Sequence, residues 1–421
     1  MRYFGTDGIR GKAEFLMSER LPQRLGRAIG DRKNVLVAVA RDNRESSFAI
    51  EKMFVSELIK YDAHVLLLGE LPTPALALIA QQEQTDYAVM ITASHNPPEY
   101  NGLKVFGKNG EKLSPKDEKR LDSLLFVTKE GSYCGTAKVV KDGRERYISH
   151  LKSVCGERFD GENVTLDCCH GATAGIADLV LSSLGANVTA LNTDKNPRLI
   201  NVGCGSTNIK SFAKLVPAGS IGFAFDGDGD RMLCAYKDKP FCGDAILLTL
   251  SKYLNSKGLL KNRAIAITEL SSKKLDEELL LYGIKAHRTP VGDKYVLDEM
   301  KSRGLSLGGE RSGHFLLRDF MPSGDGILAA LMYLKAKKAG FEEEFVPYPR
   351  FELDIPIPGM EQTLEKIKHR IDEISKYLGK SCRFLVRKSG TEPVLRVMAE
   401  GNHPELESVL EKFKEYVEFI K

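Results

Sequence analysis

The stretch Asp226-Gly227-Asp228-Gly229-Asp230-Arg231 directly follows the apolar run Ile221-Gly222-Phe223-Ala224-Phe225. A short apolar run of this kind is typical of a buried strand, so the acidic residues should lie where that strand ends. Carboxylates on alternate residues of an extended chain project to one side, and they repel one another unless a cation neutralises them. The interleaved glycines would allow the chain to bend around such an ion. The sequence therefore predicts that Asp226, Asp228 and Asp230 bind a divalent metal through oxygen ligands.

Two other interpretations of this acidic loop are weaker. A polar turn after a buried strand is the plainer one, but it does not explain three regularly spaced carboxylates. An EF-hand is a poor alternative, because Arg231 stands where its loop requires glycine and Lys237 stands where it requires a bidentate glutamate. We therefore expect a metal site that is not a calcium sensor.

The composition is that of an ordinary globular protein with more than one domain. The chain has 421 residues, of which 42% are apolar and 28% charged, and its formal net charge is +4. This length predicts roughly two to four domains. The small net charge is spread along the chain without a block of like charges, which argues against nucleic acid as a partner. No apolar run approaches the length of a membrane span, so we expect no membrane contact.

The N-terminal residues and the cysteines both predict a cytoplasmic protein. The opening sequence, MRYFGTD, lacks the apolar segment of a signal peptide. The eight cysteines include no C-x-x-C pair, and several lie in apolar runs, as is usual for reduced, buried thiols.

Short apolar runs alternate with helical patterns along most of the chain, which is typical of α/β layering. The C-terminal part differs, because two strand-like runs there are followed by an amphipathic helix. Strands are predicted at residues 35–40, 64–68, 87–92, 164–167, 188–191, 221–225, 264–268, 305–308, 351–357 and 382–387, and helices at 46–60, 73–82, 174–184, 244–254 and 404–420. The predicted domains, with boundaries in polar or proline-bearing segments, are residues 1–140, 141–237, 238–344 and 345–421.

A second polar loop, Thr92-Ala93-Ser94-His95-Asn96-Pro97, follows the predicted strand at 87–92. Ligands of open α/β sheets bind at such strand ends, and a hydroxyl held there could carry a phosphoryl group if a cation neutralised the charge. A serine hydrolase is not indicated, because neighbours on an extended chain, such as Ser94 and His95, point to opposite faces. The chain also lacks the G-x-S-x-G motif. Lys104, shortly afterwards, could act as an electrostatic clamp or a proton carrier.

Three further glycine-containing segments carry polar groups. Residues 5–12 (GTDGIRGK) fail as a Walker A motif, because Thr6 stands where its first glycine is needed, but they could present Arg10 to an anion. Residues 308–314 (GGERSGH) offer groups suited to sugar hydroxyls, although a flexible turn has the same composition. Residues 387–393 (RKSGTEP), with Arg396 beyond, could wrap a phosphate, and a charged surface hairpin is the plain alternative. Together, a serine, a metal site, a sugar-reading loop and a phosphate clamp indicate a phosphosugar mutase.

The chain resembles the α-D-phosphohexomutase family along its whole length. The sequences of its motifs are similar to those of the bacterial branch that acts on glucosamine phosphate. The resemblance implies three related α/β domains around a central cleft and a smaller C-terminal α+β domain that closes over it. Besides the serine loop at 92–97 and the acidic loop at 226–231, the motifs are residues 4–11 (FGTDGIRG), 204–207 (CGST), 291–296 (VGDKYV), 309–314 (GERSGH) and 389–398 (SGTEPVLRVM).

The resemblance also implies roles for individual residues of this chain. Ser94 corresponds to a phosphoserine, and its phosphate would complete the shell of one magnesium ion per subunit. The residues that correspond to the catalytic set are Ser94, Arg10, His95 and Lys104, and the metal ligands are Ser94, Asp226, Asp228 and Asp230. The residues that would bind substrate are Arg231, Lys294, Glu310, Ser312, His314, Arg387, Ser389, Gly390, Thr391 and Arg396.

The reaction implied by the resemblance begins when phospho-Ser94 donates to one end of a sugar monophosphate. The enzyme-bound 1,6-bisphosphate then reorients and returns its other phosphate to Ser94. We expect conversion of glucosamine 6-phosphate to glucosamine 1-phosphate in UDP-N-acetylglucosamine and cell wall precursor synthesis. A sugar 1,6-bisphosphate would be the activator, and the resemblance alone suggests a homodimer.

Other activities fit parts of the pattern. A phosphoglucomutase or phosphomannomutase would use the same mechanism on another sugar. Two residues that differ from those usual in the glucosamine phosphate branch bear on the choice between these substrates. Gly229 stands where alanine is usual, and Arg311 stands where glutamine is usual. A metal-dependent sugar phosphatase with Ser94 as nucleophile, and a catalytically silent phosphosugar-binding protein, are hypotheses of other classes.

Overall fold

A computed structural model describes residues 3–5, 7–128, 131, 134–342, 344–357, 360–379, 381–388 and 394–420. The chain divides into a larger compact unit, Met1–Leu270 with Ile284–Glu343, and a smaller one, Ser271–Gly283 with Glu344–Lys421. None of the helices in the described part of the chain has the length and hydropathy needed to cross a lipid bilayer. The α/β class predicted from the alternating pattern is confirmed.

The first sheet of the larger unit is mixed, with helices that bury their apolar faces against it. Its elements are β1 (Ile9–Lys12), α1 (Ala13–Ser18), α2 (Leu21–Ile29), β2 (Val35–Arg41), α3 (Ser47–Leu58), β3 (Ala63–Glu70), α4 (Thr73–Gln82), β4 (Tyr87–Ile91), β5 (Tyr100–Phe106), α5 (Pro115–Leu124) and β6 (Thr136–Val139). The strand order is β1-β5-β4-β2-β3-β6. The neighbours from β4 to β6 in that order are parallel, whereas β5 runs antiparallel to β4 and β1.

The second sheet has the order β11-β10-β9-β7-β8. Its elements are α6 (Gly143–Cys155), β7 (Asn163–Asp167), α7 (Ala177–Ser183), β8 (Asn187–Leu191), α8 (Ile209–Ala213), β9 (Ser220–Phe225), β10 (Met232–Tyr236) and β11 (Lys239–Phe241). Every residue of β9 is buried, as expected for a central strand that is covered on both faces. β9 is parallel to β7 and antiparallel to β10.

The third sheet has the order β13-β12-β14-β15. The elements of this part of the chain are α9 (Gly243–Ser256), β12 (Ala264–Thr268), α10 (Lys273–Leu281), β13 (Lys285–Thr289), α11 (Asp293–Arg303), β14 (Leu307–Gly309), β15 (Phe315–Leu317) and α12 (Gly326–Lys338). β12 and β14 are parallel, and β15 returns antiparallel to β14. α10 belongs to the smaller unit.

All three sheets of the larger unit share one local topology. A strand with a parallel neighbour leads through a polar loop into an antiparallel strand: β4 into β5, β9 into β10, and β14 into β15. The loops between these strands contain Ser94, the acidic residues and Glu310, respectively. The repetition is structural, because the sequence shows no strong repeat, and it delivers three chemically different loops from equivalent positions.

The smaller unit is an antiparallel sheet covered by helices. Its strands have the order β16-β18-β17. Besides α10, its elements are β16 (Arg350–Pro356), α13 (Met360–Leu378), β17 (Arg383–Lys388), β18 (Val394–Glu400) and α14 (Leu406–Phe419). Leu406, Leu410, Phe413 and Val417 of α14 lie in its core, which confirms the predicted amphipathic helix.

The antiparallel strand β5 has no counterpart among the sequence predictions. Its sequence, YNGLKVF, contains Asn101, Gly102 and Lys104, residue types that are depleted in strands. They are nevertheless buried, because the amide of Asn101 donates to Ser46 and Ser47 and the ammonium of Lys104 finds carboxylate partners. Long-range satisfaction of polar groups of this kind leaves no local sequence signal.

A buried polar contact joins α6 to the start of α12. The side chain of Asp325 caps α12 by accepting from the Leu328 N–H at 2.9 Å, and the Tyr147 hydroxyl on α6 lies 2.9 Å from both of its carboxylate oxygens. Burial raises the pKa of Asp325 to about 7. The folded protein therefore holds a proton on Asp325 at pH values where the unfolded chain has lost it.

This pKa predicts the pH dependence of stability. A raised carboxyl pKa means that the contribution is present below about pH 4 and is lost as the pH rises through about 7, a change on the order of 4 kcal/mol. Asp325→Asn keeps the capping oxygen but cannot ionise, so its urea midpoint, followed by circular dichroism, should fall less than that of the wild type between pH 5 and 8. The exposed Asp298→Asn is the matched control and should retain the wild-type slope. An unchanged slope in Asp325→Asn would contradict this assignment.

Candidate active site

Ser94 lies in the loop after β4 with a left-handed backbone conformation, φ +51°, and only 1% of it is exposed. Its hydroxyl donates to Asp226 Oδ2 at 2.6 Å, which joins the loops of the first and second sheets. The same oxygen lies 3.3 Å from Nδ1 of His95. The prediction that Ser94 and His95 point to opposite faces is therefore wrong, because it assumed an extended chain and the left-handed residue brings the two side chains together.

The acidic loop is a turn, not an extended strand. The Gly229 N–H donates to the Asp226 carbonyl at 3.1 Å, and Gly229 has φ +72°. The three carboxylates therefore converge because the chain bends at its glycines. This agrees with the prediction that the interleaved glycines would allow the chain to bend around an ion. A Cβ on Gly229 would lie 2.5 Å from Cγ2 of Thr173, so glycine is required here for packing as well as for conformation.

The geometry of the acidic loop fits a hard divalent cation. Carboxylate oxygens of Asp226, Asp228 and Asp230 lie within 4.8 Å of one another, and all three residues are buried. Oδ1 of Asp228 and Oδ1 of Asp230 are buried without a hydrogen-bond partner. Buried carboxylate oxygens are normally hydrogen-bonded, so these two unpaired oxygen atoms are suited to coordinate a metal ion.

Lys104 of β5 lies against the same carboxylates. Its ammonium donates to Asp228 at 2.7 Å and to Asp230 at 2.6 Å, and it lies 3.3 Å from Asp7. Burial alone would lower the pKa of Lys104, but the attraction of Asp228, Asp230 and Asp7 exceeds that effect and raises it well above the ordinary value. Lys104 is therefore a fixed positive charge beside the carboxylates of the acidic loop.

The three carboxylates are not electrostatically equivalent. Burial, with the repulsion of Asp230 and Asp228, raises the pKa of Asp226 well above its usual range. For Asp230 burial also acts upward, but Lys104, His314 and Arg231 together outweigh it and hold the pKa below the ordinary value. Asp226 therefore needs an additional positive charge nearby to stay ionised, whereas Asp230 does not.

His95 and Arg231 lie on the two loops that meet at Ser94. The Arg231 guanidinium, followed by burial and by Arg10, lowers the pKa of His95 to about 3. The imidazole is therefore neutral at physiological pH and can accept or donate one proton. Arg231 also connects the second loop to the third, since it forms an isolated β-bridge with His314.

Arg10 lies on β1 at the edge of the same site. Its guanidinium pairs with Asp7 and lies 3.5 Å from the Ala93 carbonyl, so the sequence correctly placed it near the serine loop. Lys112 also pairs with Asp7 and reaches Asp293 of the third sheet at 2.8 Å. Sequence reasoning missed Lys112, because a lysine after a polar loop looks like a surface residue.

The third loop places Glu310, Ser312 and His314 at separate points. Glu310 is half-buried and accepts from the Gly292 N–H at 3.2 Å and from the Ser312 hydroxyl at 3.4 Å. His314 is buried, with Nε2 3.8 Å from carboxylate oxygens of both Asp230 and Asp293. Thus His314 lies beside Asp230 of the acidic loop, and Ser312 is exposed at the tip of its own loop.

Two basic residues flank this third loop. Nζ of Lys294 lies 3.3 Å from Oε2 of Glu118, which ties α11 to α5. The guanidinium of Arg311 is paired at 3.2 Å with Asp244, a fully buried residue in the first turn of α9. Asp244 therefore offsets the positive charge that Arg311 adds beside Glu310.

The residues of the predicted phosphate clamp belong to the smaller unit. Arg387 on β17 and Arg396 on β18 are cross-strand partners, so two guanidinium groups extend from neighbouring strands. Arg396 also lies 3.8 Å from Asp354. Ser389, Gly390 and Thr391 lie outside the described residues.

Three residues that support the serine loop were missed by sequence reasoning. Arg44 is 2% exposed and donates to the Ser94 carbonyl, and Asp42 binds the Arg44 guanidinium at 2.9 Å. Asn201 donates to the Ser94 carbonyl at 2.8 Å. A signal for the first two exists, because RDNR at residues 41–44 follows the buried run of β2, and polar loops after strands marked the other site segments.

The acidic loop predicts a specific response to magnesium. Magnesium at about 100 times its Kd should raise the free energy of unfolding by about 2.7 kcal/mol. Asp226→Asn removes a buried charge that is repelled by its neighbours, so without metal its melting temperature should exceed that of the wild type, and the magnesium shift should largely disappear. Calorimetry with and without magnesium measures both quantities.

Asp167→Asn provides the matched control. Asp167 is also a buried carboxylate, but it accepts from the backbone N–H groups of Cys169 and Gly205 and lies outside the acidic loop. It should melt lower than the wild type and keep the magnesium shift. Equal magnesium shifts in Asp226→Asn and the wild type would contradict the metal assignment.

Domain models of the phosphoglucomutase/phosphomannomutase family match four consecutive parts of the chain. They are alpha/beta/alpha domain I at residues 1–131, domain II at 145–239, domain III at 242–343 and the C-terminal domain at 355–415.

Relatives named phosphoglucosamine mutase are similar over nearly the whole length. The protein from Bacillus licheniformis is 36% identical over 427 residues, which cover 96% of this chain and 95% of the relative. The protein from Nitratiruptor sp. is 38% identical over 446 residues, which cover 100% of this chain and 99% of the relative.

Solved structures share the fold. A phosphoglucomutase/phosphomannomutase family protein from Burkholderia thailandensis has a TM-score of 0.82 at 21% identity, with 98% of this chain and 96% of that chain covered. N-acetylphosphoglucosamine mutase from Aspergillus fumigatus, solved with GlcNAc-6P and magnesium, has a TM-score of 0.69 at 16% identity, with 99% and 95% covered. The shared fold, the four matching domains and the full-length relatives lead to one conclusion: the chain belongs to the α-D-phosphohexomutase family.

Proposed function

We propose that this phosphohexomutase interconverts glucosamine 6-phosphate and glucosamine 1-phosphate through a phosphorylated Ser94. The observation that carries the proposal is the 2.6 Å contact between Ser94 Oγ and Asp226 Oδ2, which places an acceptor hydroxyl against a cluster of buried carboxylates. The amino-sugar substrate rests on the relatives named phosphoglucosamine mutase, which are 36–38% identical to this chain. The product would supply UDP-N-acetylglucosamine and cell wall precursor synthesis in the cytoplasm.

The proposed reaction has two phosphoryl transfers. In the first, the bond between phosphorus and Ser94 Oγ breaks while a hydroxyl oxygen of the sugar monophosphate bonds to phosphorus, and the proton of that hydroxyl ends on Ser94 Oγ. The resulting 1,6-bisphosphate reorients, and its other phosphate returns to Ser94. Free sugar 1,6-bisphosphate would restore any Ser94 that has lost its phosphate, which explains an activator role.

The residues around Ser94 suggest a division of labour. Lys104 keeps its proton because its carboxylate neighbours raise its pKa, so we assign it to charge stabilisation of the transferring phosphoryl group. His95 is the candidate that we assign to relay the hydroxyl proton, because its Nδ1 lies 3.3 Å from Ser94 Oγ. Its lowered pKa makes it a weak base, so it would pass on at once any proton that it accepts. Arg10 would contribute a further positive charge at the rim.

The metal proposed for Asp226, Asp228 and Asp230 is magnesium, which would neutralise the phosphate on Ser94 and polarise its oxygens. Two oxygen atoms are available to bind such an ion, since Oδ1 of Asp228 and Oδ1 of Asp230 have no hydrogen-bond partner. The phosphate oxygens of modified Ser94 would complete the oxygen shell that these ligands begin.

The remaining candidate residues would bind the sugar phosphate. Glu310 and Ser312 offer hydrogen-bonding groups to sugar hydroxyls, and Arg231, Lys294 and His314 lie on or beside the same loops. The phosphate that is not transferred would be bound by Arg387, Ser389, Gly390, Thr391 and Arg396. The proposed domains carry one task each: 1–140 the phosphoserine, 141–237 the metal, 238–344 sugar recognition and 345–421 the phosphate clamp.

A comparison of substrates tests this function. Turnover of glucosamine 6-phosphate, glucose 6-phosphate and mannose 6-phosphate should be measured with magnesium and a sugar 1,6-bisphosphate. We expect the amino sugar to have the highest kcat/KM, by about tenfold or more, since its 2-ammonium group can form charge-assisted hydrogen bonds that the neutral 2-hydroxyl of the other two sugars cannot. Ser94→Ala should be inactive on all three sugars.

The outcome that would overturn the substrate assignment is a preference for glucose 6-phosphate by about tenfold, which would indicate a phosphoglucomutase with the same mechanism. Release of inorganic phosphate without isomer formation would instead indicate a phosphatase. Arg311→Gln is an informative companion, because Asp244 holds the Arg311 guanidinium.

A further inference from the structure

Side chains from two regions of the fold donate hydrogen bonds to the backbone of the serine loop. The carbonyl oxygens of Ser94 and Asn96 each accept two hydrogen bonds, one from Nη2 of Arg44 and one from Nδ2 of Asn201. The Arg44 distances are 2.8 Å and 2.8 Å, and the Asn201 distances are 2.8 Å and 3.0 Å. Arg44 belongs to the first α/β region and Asn201 to the second, so the loop is fixed relative to both.

The Arg44 side chain is itself held in place by several hydrogen bonds. Nε of the guanidinium donates to Asp42 at 2.9 Å, and Nη1 reaches the carbonyls of Pro97 and Tyr100. Asp42 also accepts from the Thr92 hydroxyl at 2.7 Å, and that hydroxyl accepts from the Ser94 N–H at 2.8 Å. Both backbone groups of Ser94 are therefore held by one buried network.

The Asn201 side fixes the loop against the acidic turn. The Cys169 thiol donates to Oδ1 of Asn201 at 2.9 Å, which orients the carboxamide with its NH₂ group toward the serine loop. A Cβ on Gly227 would lie 2.8 Å from the Ser94 carbonyl and 3.0 Å from Nδ2 of Asn201. Gly227 is thus needed for the close approach of the two loops, and Asn201 occupies the space at their junction.

We propose that Asn201, acting with Arg44, is a positioning residue that sets the distance between the Ser94 hydroxyl and the metal-binding carboxylates. Neither side chain hydrogen-bonds to Ser94 Oγ, so both act through the backbone of the loop. The inference rests on the proposed function, in which Ser94 carries the transferred phosphate. Asn201 should affect the rate of phosphoryl transfer and leave sugar binding nearly unchanged, because its amide donors are engaged with loop carbonyls.

The chain contains a matched control in Asn43. Its Nδ2 donates to two backbone carbonyls of the second region, His170 at 2.7 Å and Lys195 at 2.9 Å. Asn43→Ala therefore removes two amide-to-carbonyl hydrogen bonds between the same regions, as Asn201→Ala does, but neither of them is to the serine loop. Asn201→Ala also removes the bond that Oδ1 accepts from the Cys169 thiol, which the Cys169 variants below test separately.

Steady-state kinetics of both variants, with magnesium and sugar bisphosphate, test the inference. Asn201→Ala should lower kcat by about 10- to 100-fold with KM changed by less than about twofold, the size expected for a small misplacement of a reacting group. Asn43→Ala should keep kcat within about threefold of the wild type, with a similar fall in melting temperature. Equal kcat values in the two variants would overturn the inference.

Cys169 provides a second and gentler test, which remains valid if Asn201→Ala does not fold. Cys169→Ser keeps a donor for the Asn201 carboxamide and should keep most of kcat, whereas Cys169→Ala loses the donor and should lower kcat about three- to tenfold. Similar kcat values for these two variants would count against the inference.

A readout that does not depend on isomerisation separates this inference from the proposed function. Intact mass measured over time gives the rate at which a sugar 1,6-bisphosphate phosphorylates Ser94. Slower phosphorylation of Asn201→Ala than of Asn43→Ala would support the positioning role, whether or not the wild type isomerises a hexose phosphate. A wild type that isomerises no hexose phosphate would contradict the proposed function alone. Equal phosphorylation rates, with an active wild type, would sink the positioning role alone.

Discussion

The repulsion among three buried carboxylates is the constraint on which the rest of the site depends. Asp226, Asp228 and Asp230 are held within a few ångströms of one another, with burial strengthening their interaction. Lys104 supplies one compensating charge and leaves Asp226 with a strongly raised pKa. The arrangement is therefore poised for a cation on one side and for the Ser94 hydroxyl, or a phosphate that it carries, on the other.

The fold brings these groups together by repeating one hairpin topology in three sheets. In each sheet a buried strand ends at a polar loop and the next strand returns antiparallel, so Ser94, the three carboxylates and Glu310 come from equivalent positions of different sheets. The loops are then joined by direct contacts: Ser94 with Asp226, and Arg231 with His314. Glycines at 227 and 229 permit these approaches, since a Cβ at either would collide with a neighbouring residue.

Much of this was predictable from sequence, because buried strands and the polar loops that follow them are local patterns. The strand at 221–225, the acidic loop that follows it and the loop that carries Ser94 were located correctly, and α14 lies where the C-terminal helix was predicted. What sequence could not supply was long-range. β5 looked like a loop because its polar residues are satisfied by distant partners, and Asn201 and Lys112 have no local pattern that marks them. The left-handed conformation of Ser94 also reversed the expected relation to His95.

We infer that Ser94 and the acidic loop form one site that transfers phosphate to a sugar and not to water. The most direct test is a single turnover of enzyme carrying radiolabelled phosphate on Ser94, mixed with unlabelled glucosamine 6-phosphate and magnesium. We predict that the label leaves Ser94 and appears in sugar bisphosphate and sugar monophosphate. Label that appears as inorganic phosphate at the rate of its loss from Ser94 would contradict it.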